Sequence, residues 1–402
     1  MSVEGWKTGK LRDITVINYG KSPVKILSPE GQYPVVGTGE NERLGTNFLY
    51  DGESIILGRK GSIDRVYFAS GKFWAIDTAY YLSDFRETFP RWLFYYLQTI
   101  DLRQMNEATG VPSLSREFLY NIALQIPAKA EQTQIATILS TIDRAIEQTE
   151  ALIAKQQRIK TGLMQDLLTK GIDENGNIRS EETHEFKDSP LGRIPVEWEV
   201  SQLRDTGTWL SGGTPSKSEK TYWGPFVPWV CSKDMKVFDL KNTLEMITQK
   251  GVLSGSKVAP KDSVLIVVRG MILAHTFPVV YLTRDMAFNQ DIKAIIPNEN
   301  IYGRYLAYWF SANSSQLLKL TTTATHGTKR LETNDLLEFA LCLPSKMEQK
   351  KIIYLLDKSQ YDIEITKEYL QKLKLQKTGL MQDLLTGKVR VTDLLNQKAA
   401  VN

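Results

Sequence analysis

Between Glu131 and Thr169, apolar or small side chains return at Ile135, Leu139, Ile142, Ile146, Thr149, Ile153, Leu163 and Leu167, mostly three or four residues apart. No proline interrupts the run, and Gly162 is its only glycine. From 348 to 386 the same rhythm recurs at Ile352, Leu356, Ile363, Thr366, Leu370, Leu373, Leu380 and Leu384. Alternating spacing of this kind over about five heptads predicts a coiled-coil seam, narrower than the apolar face of a globular helix. Each helix would span roughly 58 Å at 1.5 Å per residue. Gln156, Lys160, Ser359 and Lys377 interrupt the seam, and either fix its register or mark a solvated stretch.

The two helices are copies. The nonamer TGLMQDLLT stands at 161–169 and again at 378–386, an offset of 217 residues. Carried backwards without a gap, that offset pairs Glu131-Gln132 with Glu348-Gln349, Pro127 with Pro344 and Gly110 with Gly327. Of 60 aligned positions 25 are identical, far more than chance gives, so this is an internal repeat. A second offset, 192, pairs Trp6 with Trp198, Leu11-Arg12-Asp13 with Leu203-Arg204-Asp205, Gly20 with Gly212 and Pro23 with Pro215. The ends of the copies are therefore alike. Their middles differ, and the second carries 25 more residues between the positions matching Pro23 and Gly110. Shared ends building a common frame, with middles free to diverge, is the reading this pattern favours over neutral drift.

The middles read as mixed α and β. Short β-rich runs are expected at 33–36, 54–57, 66–69, 75–81 and 122–127, with a helix over 91–102. The second copy repeats this with strands at 263–268, 278–282, 292–296 and 340–344 and helix over 302–320. The fold class is thus two tandem α/β (α+β) domains, each followed by a long helix. The helices are expected to pack as an antiparallel coiled coil with a pseudo-twofold repeat. The expected organisation is domain one over 1–130, long helix over 131–170, linker over 171–196, domain two over 197–347, long helix over 348–386 and tail over 387–402. The linker, rich in turn residues, is expected to have little core of its own.

Composition narrows the function more by exclusion than by indication. With 402 residues, 42% hydrophobic and 24% charged, the chain is neither disordered nor disulfide-stapled. Cys231 and Cys342 lack CxxC spacing, the charged N-terminus does not resemble a secretory signal, and no apolar run reaches membrane-spanning length, so a reducing cytoplasm is expected. No P-loop is present, since Gly387-Lys388 continues into Val389, and no GxGxxG, GxSxG or Asn/Asp-Pro-Pro-aromatic loop occurs. His184, His275 and His326 show no metal-ligand spacing, so no metal site and no catalytic residues are assigned.

Binding remains. The net charge is +4, spread without a basic tail, so placed loop cations are favoured over non-specific wrapping. Arg59-Lys60-Gly61-Ser62 follows a predicted strand, and Arg269-Gly270 stands at the matching place in the second copy. The loops Ala108–Ser115 and Thr325–Glu332 precede short helices, and offer Gly110, Ser113, His326, Gly327, Thr328, Lys329 and Arg330 for phosphate contact, or are ordinary helix caps. Lys217 in SGGTPSK lacks the glycine order of a phosphate cradle but remains a candidate DNA cation. Arg43, Asn41, Asn289 and Gln290 are residue types that read base edges. The aromatic clusters Tyr222–Trp229 and Tyr302–Phe310 are expected to be core.

The opening GW…LRD, the Arg-x-Gly-Ser after a strand, the Pro-x-x-x-Glu-Gln entry to a long helix and its TGLMQDLLT exit resemble the specificity subunits of type I restriction–modification systems. The segment GIDENGNIRSEETHEFKDSPLGRIPVEWEV is similar to that family's mid-chain segment, and the resemblance covers essentially the whole chain. It implies a non-catalytic DNA-recognition subunit with two target-recognition domains, each reading half of a split, asymmetric duplex-DNA site. The helices would act as a ruler for the unspecified spacer and as the contact surface for two methyltransferase subunits. Motor and endonuclease subunits would complete the complex. S-adenosylmethionine, ATP and Mg²⁺ would sit on the partners, with no cofactor on this chain. The competing readings are a free-standing DNA-binding regulator and a nuclease.

Overall fold

The computed structural model describes residues 3–38, 43–106, 108–323 and 328–393. The long helices run over Lys129–Thr169 and Lys346–Leu385, two residues earlier at each start than the seam predicts. The chain divides into two compact units, Met1–Leu152 with Thr366–Asn402, and Ile153–Ile365. The division falls inside both long helices, so each unit owns a stretch of each.

In the first unit an antiparallel main sheet takes the strands in the order Val16–Tyr19, Ala79–Ser83, Ser54–Gly58, Val66–Ala69. Ile55, Leu57, Tyr80 and Leu82 pack in one core with Trp92, Leu93, Tyr95 and Leu97 of the helix Pro90–Gln98. A small sheet sets Tyr33–Val36 parallel to Lys72–Ala75. The expected strand over 75–81 is in fact two, because Ala79 N donates to the Ile76 carbonyl and turns the chain.

The second unit repeats the plan. Its main sheet runs Gly207–Ser211, Ile292–Pro297, Val264–Val267, Val279–Leu282, with Asp239–Leu240 added at the far edge. Its small sheet sets Trp223–Val230 parallel to Met286–Phe288. The predicted helix over 302–320 breaks at Asn313, whose side chain donates to the Trp309 carbonyl, leaving Gly303–Ala312 and Ser314–Lys319. Tyr305, Tyr308, Trp309 and Phe310 are core, as expected. The segment after the first long helix is more than a linker: Phe186–Ser189 and Gly192–Pro195 form a hairpin, and Ile172 and Ile194 are buried.

The seam is buried within each unit. Ile135 and Leu139 share a core with Leu384, against which Leu380 packs, in the first. Leu167, Ile352 and Leu356 share one with partly buried Leu163 in the second. Ile142, Ile363 and Leu373 are buried and Ile146 and Leu370 half-buried. The helices run antiparallel in both units: Asp143 pairs with Lys377 and Glu150 with Lys374 in one, and in the other Lys160 donates to Gln360 while Leu167 shares a core with Ile352 and Leu356.

Candidate nucleic-acid interface

Matched residues lock each frame. In the first unit Trp6 Nε1 donates to Glu131 (3.0 Å), and Arg390, beyond the end of the second long helix, grips the same carboxylate through Nε (2.7 Å) and Nη2 (2.9 Å). In the second unit Trp198 Nε1 donates to Glu348 (3.2 Å) and Arg179, beyond the end of the first long helix, grips it through Nη1 (2.5 Å) and Nη2 (3.3 Å). Gln132 and Gln349 make the adjoining lock. Their Oε1 accepts from Phe89 N and Tyr302 N, and their Nε2 donates to the carbonyls of Pro127 and Pro344. The Glu-Gln pair of the repeat is thus the tie between each long helix and the domain before it.

On this frame the two candidate basic loops come together. In the first unit Lys60 bridges Ser113, Gly61 N donates to the Pro112 carbonyl and Leu114 N to that of Arg59. In the second Arg269 bridges Arg330, Gly270 N donates to Lys329 and Leu331 N to Val268. Lys60 and Arg269 therefore occupy one position of the repeat. Lys60, Ser62, Gly110, Arg269 and Arg330 are exposed, Arg59, Ser113 and Lys329 partly so. Ser115 caps the helix Arg116–Tyr120 by accepting from Glu117 N.

Other candidates lie elsewhere or are engaged within the fold. Arg43 is exposed on the small sheet of the first unit. Lys217 pairs with Glu245 (2.6 Å) and lies 4.2 Å from the Trp223 ring centroid. Asn289 is buried, its Oδ1 accepting from Asp291 N. Gln290 is exposed and bonded to Thr214. Thr328 lies just before the strand Lys329–Leu331, whereas Asn41, His326 and Gly327 lie outside the described residues. Among the described residues no cluster of three or more His, Cys, Asp or Glu is placed to hold a metal, and no helix is long and apolar enough to cross a membrane.

The structure also exposes residues the sequence reading missed. Tyr19 pairs with Tyr80 across the main sheet of the first unit, and Ser211 with Lys293 in the second. These are the same position of the frame. The glycine after each strand, Gly20 or Gly212, lies so close to the backbone of 75–76 or 288–289 that a Cβ there would come within 2.0 or 2.2 Å of a carbonyl oxygen. Burial, then Tyr19, pushes the Tyr80 hydroxyl up to about 12, so it stays protonated and donates to the Leu114 carbonyl (3.0 Å). Arg59 and Arg116 lie 5.2 and 4.9 Å from the Tyr19 ring centroid. Lys293 Nζ donates to Ser211 Oγ (2.7 Å), and burial, then Arg330, lowers its pKa. The 192 offset that matches Gly20 with Gly212 also pairs Tyr19 with Ser211, a position where the two copies differ.

Comparison with known proteins agrees with this duplicated plan. The model of the type I restriction modification DNA specificity domain matches residues 3–156 and 195–375. The EcoR124I/EcoR124II specificity subunit of Escherichia coli is 28% identical over 280 residues, 68% of this chain and 64% of that protein. The MjaVIII specificity subunit of Methanocaldococcus jannaschii is 26% identical over 97% of this chain and 94% of its own length. The crystal structure of the S subunit from M. genitalium shares the fold with a TM-score of 0.60 at 16% identity, over 96% of this chain and 99% of that one. With its family domain matched in both halves, the chain belongs to the type I restriction–modification DNA specificity family.

Proposed function

We propose that the chain is the DNA sequence-specificity subunit of a type I restriction–modification complex, each unit reading one half of a bipartite, asymmetric duplex target. What carries this reading is that one frame, held by matched Trp, Glu and Gln residues, presents a cation at a matched loop position (Lys60, Arg269) beside a strand pair whose side chains differ (Tyr19/Tyr80, Ser211/Lys293). Phosphate contacts position a reader and are common to any sequence, while base contacts specify it. A repeat that keeps the first and varies the second suits two readers of different sequences. Arg43, Arg59, Lys60, Ser62, Gly110, Ser113, Lys217, Arg269, Asn289, Thr328, Lys329 and Arg330 are the DNA-contact candidates it supplies.

The long helices serve as the ruler for the unspecified spacer and as the seat of two methyltransferase subunits, to which motor and endonuclease subunits add. Catalysis then belongs to the partners, with S-adenosylmethionine, ATP and Mg²⁺, in the cytoplasm. The test is co-expression with the methyltransferase subunit and sequencing of methylated bases genome-wide. A bipartite motif is expected, and exchanging segment 23–110 for that of another family member should change one half of it only. A change in both halves, or a single contiguous motif, would overturn the reading.

A further inference from the structure

Among the described residues, two cations without a carboxylate partner converge on the strand-end pair of the first unit, Tyr19/Tyr80, and in the second unit one member of the pair, Lys293, is itself such a cation. Arg59 and Arg116 flank Tyr19, which is 46% exposed, and Arg116 Nε is buried without a hydrogen-bond partner. Lys293 is half-buried, and among the described residues its one hydrogen-bond partner is the neutral Ser211 hydroxyl, beside the positive Arg330, which itself pairs with Glu332 at 3.3 Å. Among the described residues no ion pair joins Arg59, Arg116 or Lys293 to a carboxylate. Cations held partly out of water without a counter-ion cost stability unless a ligand supplies acceptors.

Such acceptors come from phosphate or from a base edge, and the internal repeat separates the two. Where a contact serves any sequence, both units keep the same charge, as Lys60 and Arg269 do. At the strand-end pair the units differ in size, polarity and charge: two tyrosines in one, a serine and a lysine in the other. A guanine presents O6 and N7 acceptors to the major groove, which lysine and arginine read, and a thymine presents its methyl, which takes apolar and aromatic contact.

We propose that this strand-end pair is the base-reading position of each unit, with Lys293 taking the acceptor edge of a guanine in one half-site and Tyr19 packing on a thymine methyl in the other. This rests on the DNA-reading function proposed above. Arg330, Arg59 and Arg116 position these two side chains and neutralise nearby phosphates.

The test compares methylated motifs in cells co-expressing the methyltransferase subunit with wild-type, Lys293→Met, Lys293→Gln or Tyr19→Ala chains. Lys293→Met is expected to leave one half-site unchanged and to relax one guanine of the other by tenfold or more. Lys293→Gln should shift that same position from guanine towards adenine, a gain that misfolding cannot produce. Tyr19→Ala should relax one thymine of the opposite half. An unchanged motif in Lys293→Met, equal weakening at every position, or a wild-type half-site without guanine would each overturn the assignment while leaving the two-reader function intact. Absence of any bipartite motif from the wild-type chain would instead sink the function on which it rests.

Discussion

In the small sheet of the first unit Val35 faces Trp74, and in that of the second Trp229 faces Ala287. The tryptophan has changed strands. In both, its indole nitrogen donates to the residue after the matched glycine: Trp74 to the Lys21 carbonyl (2.8 Å) and Trp229 to the Gly213 carbonyl (3.1 Å). What is held constant is an indole N–H on the carbonyl after the glycine and one large ring on the small sheet. Which strand supplies them is free to vary. The molecule thus has three grades of position: the Trp–Glu–Arg and Gln locks, identical in both units; the tryptophan pair, conserved only as a sum; and the strand-end pair, which shares nothing.

The first way to break this comparison is at the locks. Glu348 and Arg179 leave only 10% of each side chain exposed, so Glu348→Ala strands a buried guanidinium, the Trp198 N–H and the Ile172 N–H. A loss of about 3–5 kcal/mol in urea unfolding is expected. Glu131→Ala should cost less, about 2 kcal/mol, because Arg390 is 30% exposed and can regain water. Equal losses would show that the locks are not graded by burial.

The tryptophan exchange offers a finer cut. Trp229 is 4% exposed and Trp74 half-buried, so Trp229→Ala should cost about 3–5 kcal/mol and Trp74→Ala less. If the sum rather than the strand matters, Val35→Trp added to Trp74→Ala should recover part of the loss, measured as a double-mutant cycle. A cycle with no coupling would mean each ring is fitted to its own strand.

These grades differ in how far the sequence revealed them. The long helices were legible because a period of three and four, unbroken by proline, survives any tertiary context. The Glu-Gln locks were legible as identities at one offset, though not as bonds, since Arg179 and Arg390 stand at different distances beyond their helices. The basic loops at 59–62 and 269–270 were found because charge after a strand is conspicuous, and the structure adds that each is hydrogen-bonded to the loop before the short helix. The tryptophan exchange was hidden, because inserted residues between the two offsets erase the alignment and the rings stand on different strands. Tyr19/Tyr80 and Ser211/Lys293 escaped for a related reason. Pairing across a sheet joins residues 61 and 82 positions apart, and an aromatic or a lone lysine there reads as ordinary strand.

The seam lysines give the smallest effect and the sharpest contrast. Lys160 and Lys377 are matched by the repeat, as are their partners Gln360 and Asp143, so these two polar breaks in the seam are paired contacts that hold one antiparallel register. Lys377→Met leaves the Asp143 carboxylate, among the described residues, with the Tyr95 hydroxyl alone, and about 1–2 kcal/mol should be lost. Lys160→Met removes a charge bonded to a neutral amide and should be close to neutral near pH 7. Burial lowers the Lys160 pKa, against which Asp357 and Glu364 act. With its folded pKa below the unfolded one, the folded chain releases this proton first as pH rises. Wild-type stability therefore gains relative to Lys160→Met between the depressed value and the ordinary lysine range of about 10.4. Unfolding of both proteins at pH 7 and pH 10 reads this as a stability difference that shifts towards the wild type at the higher pH. A difference that stays flat, or moves the other way, would mean that Lys160 is solvated and that its place in the seam fixes nothing.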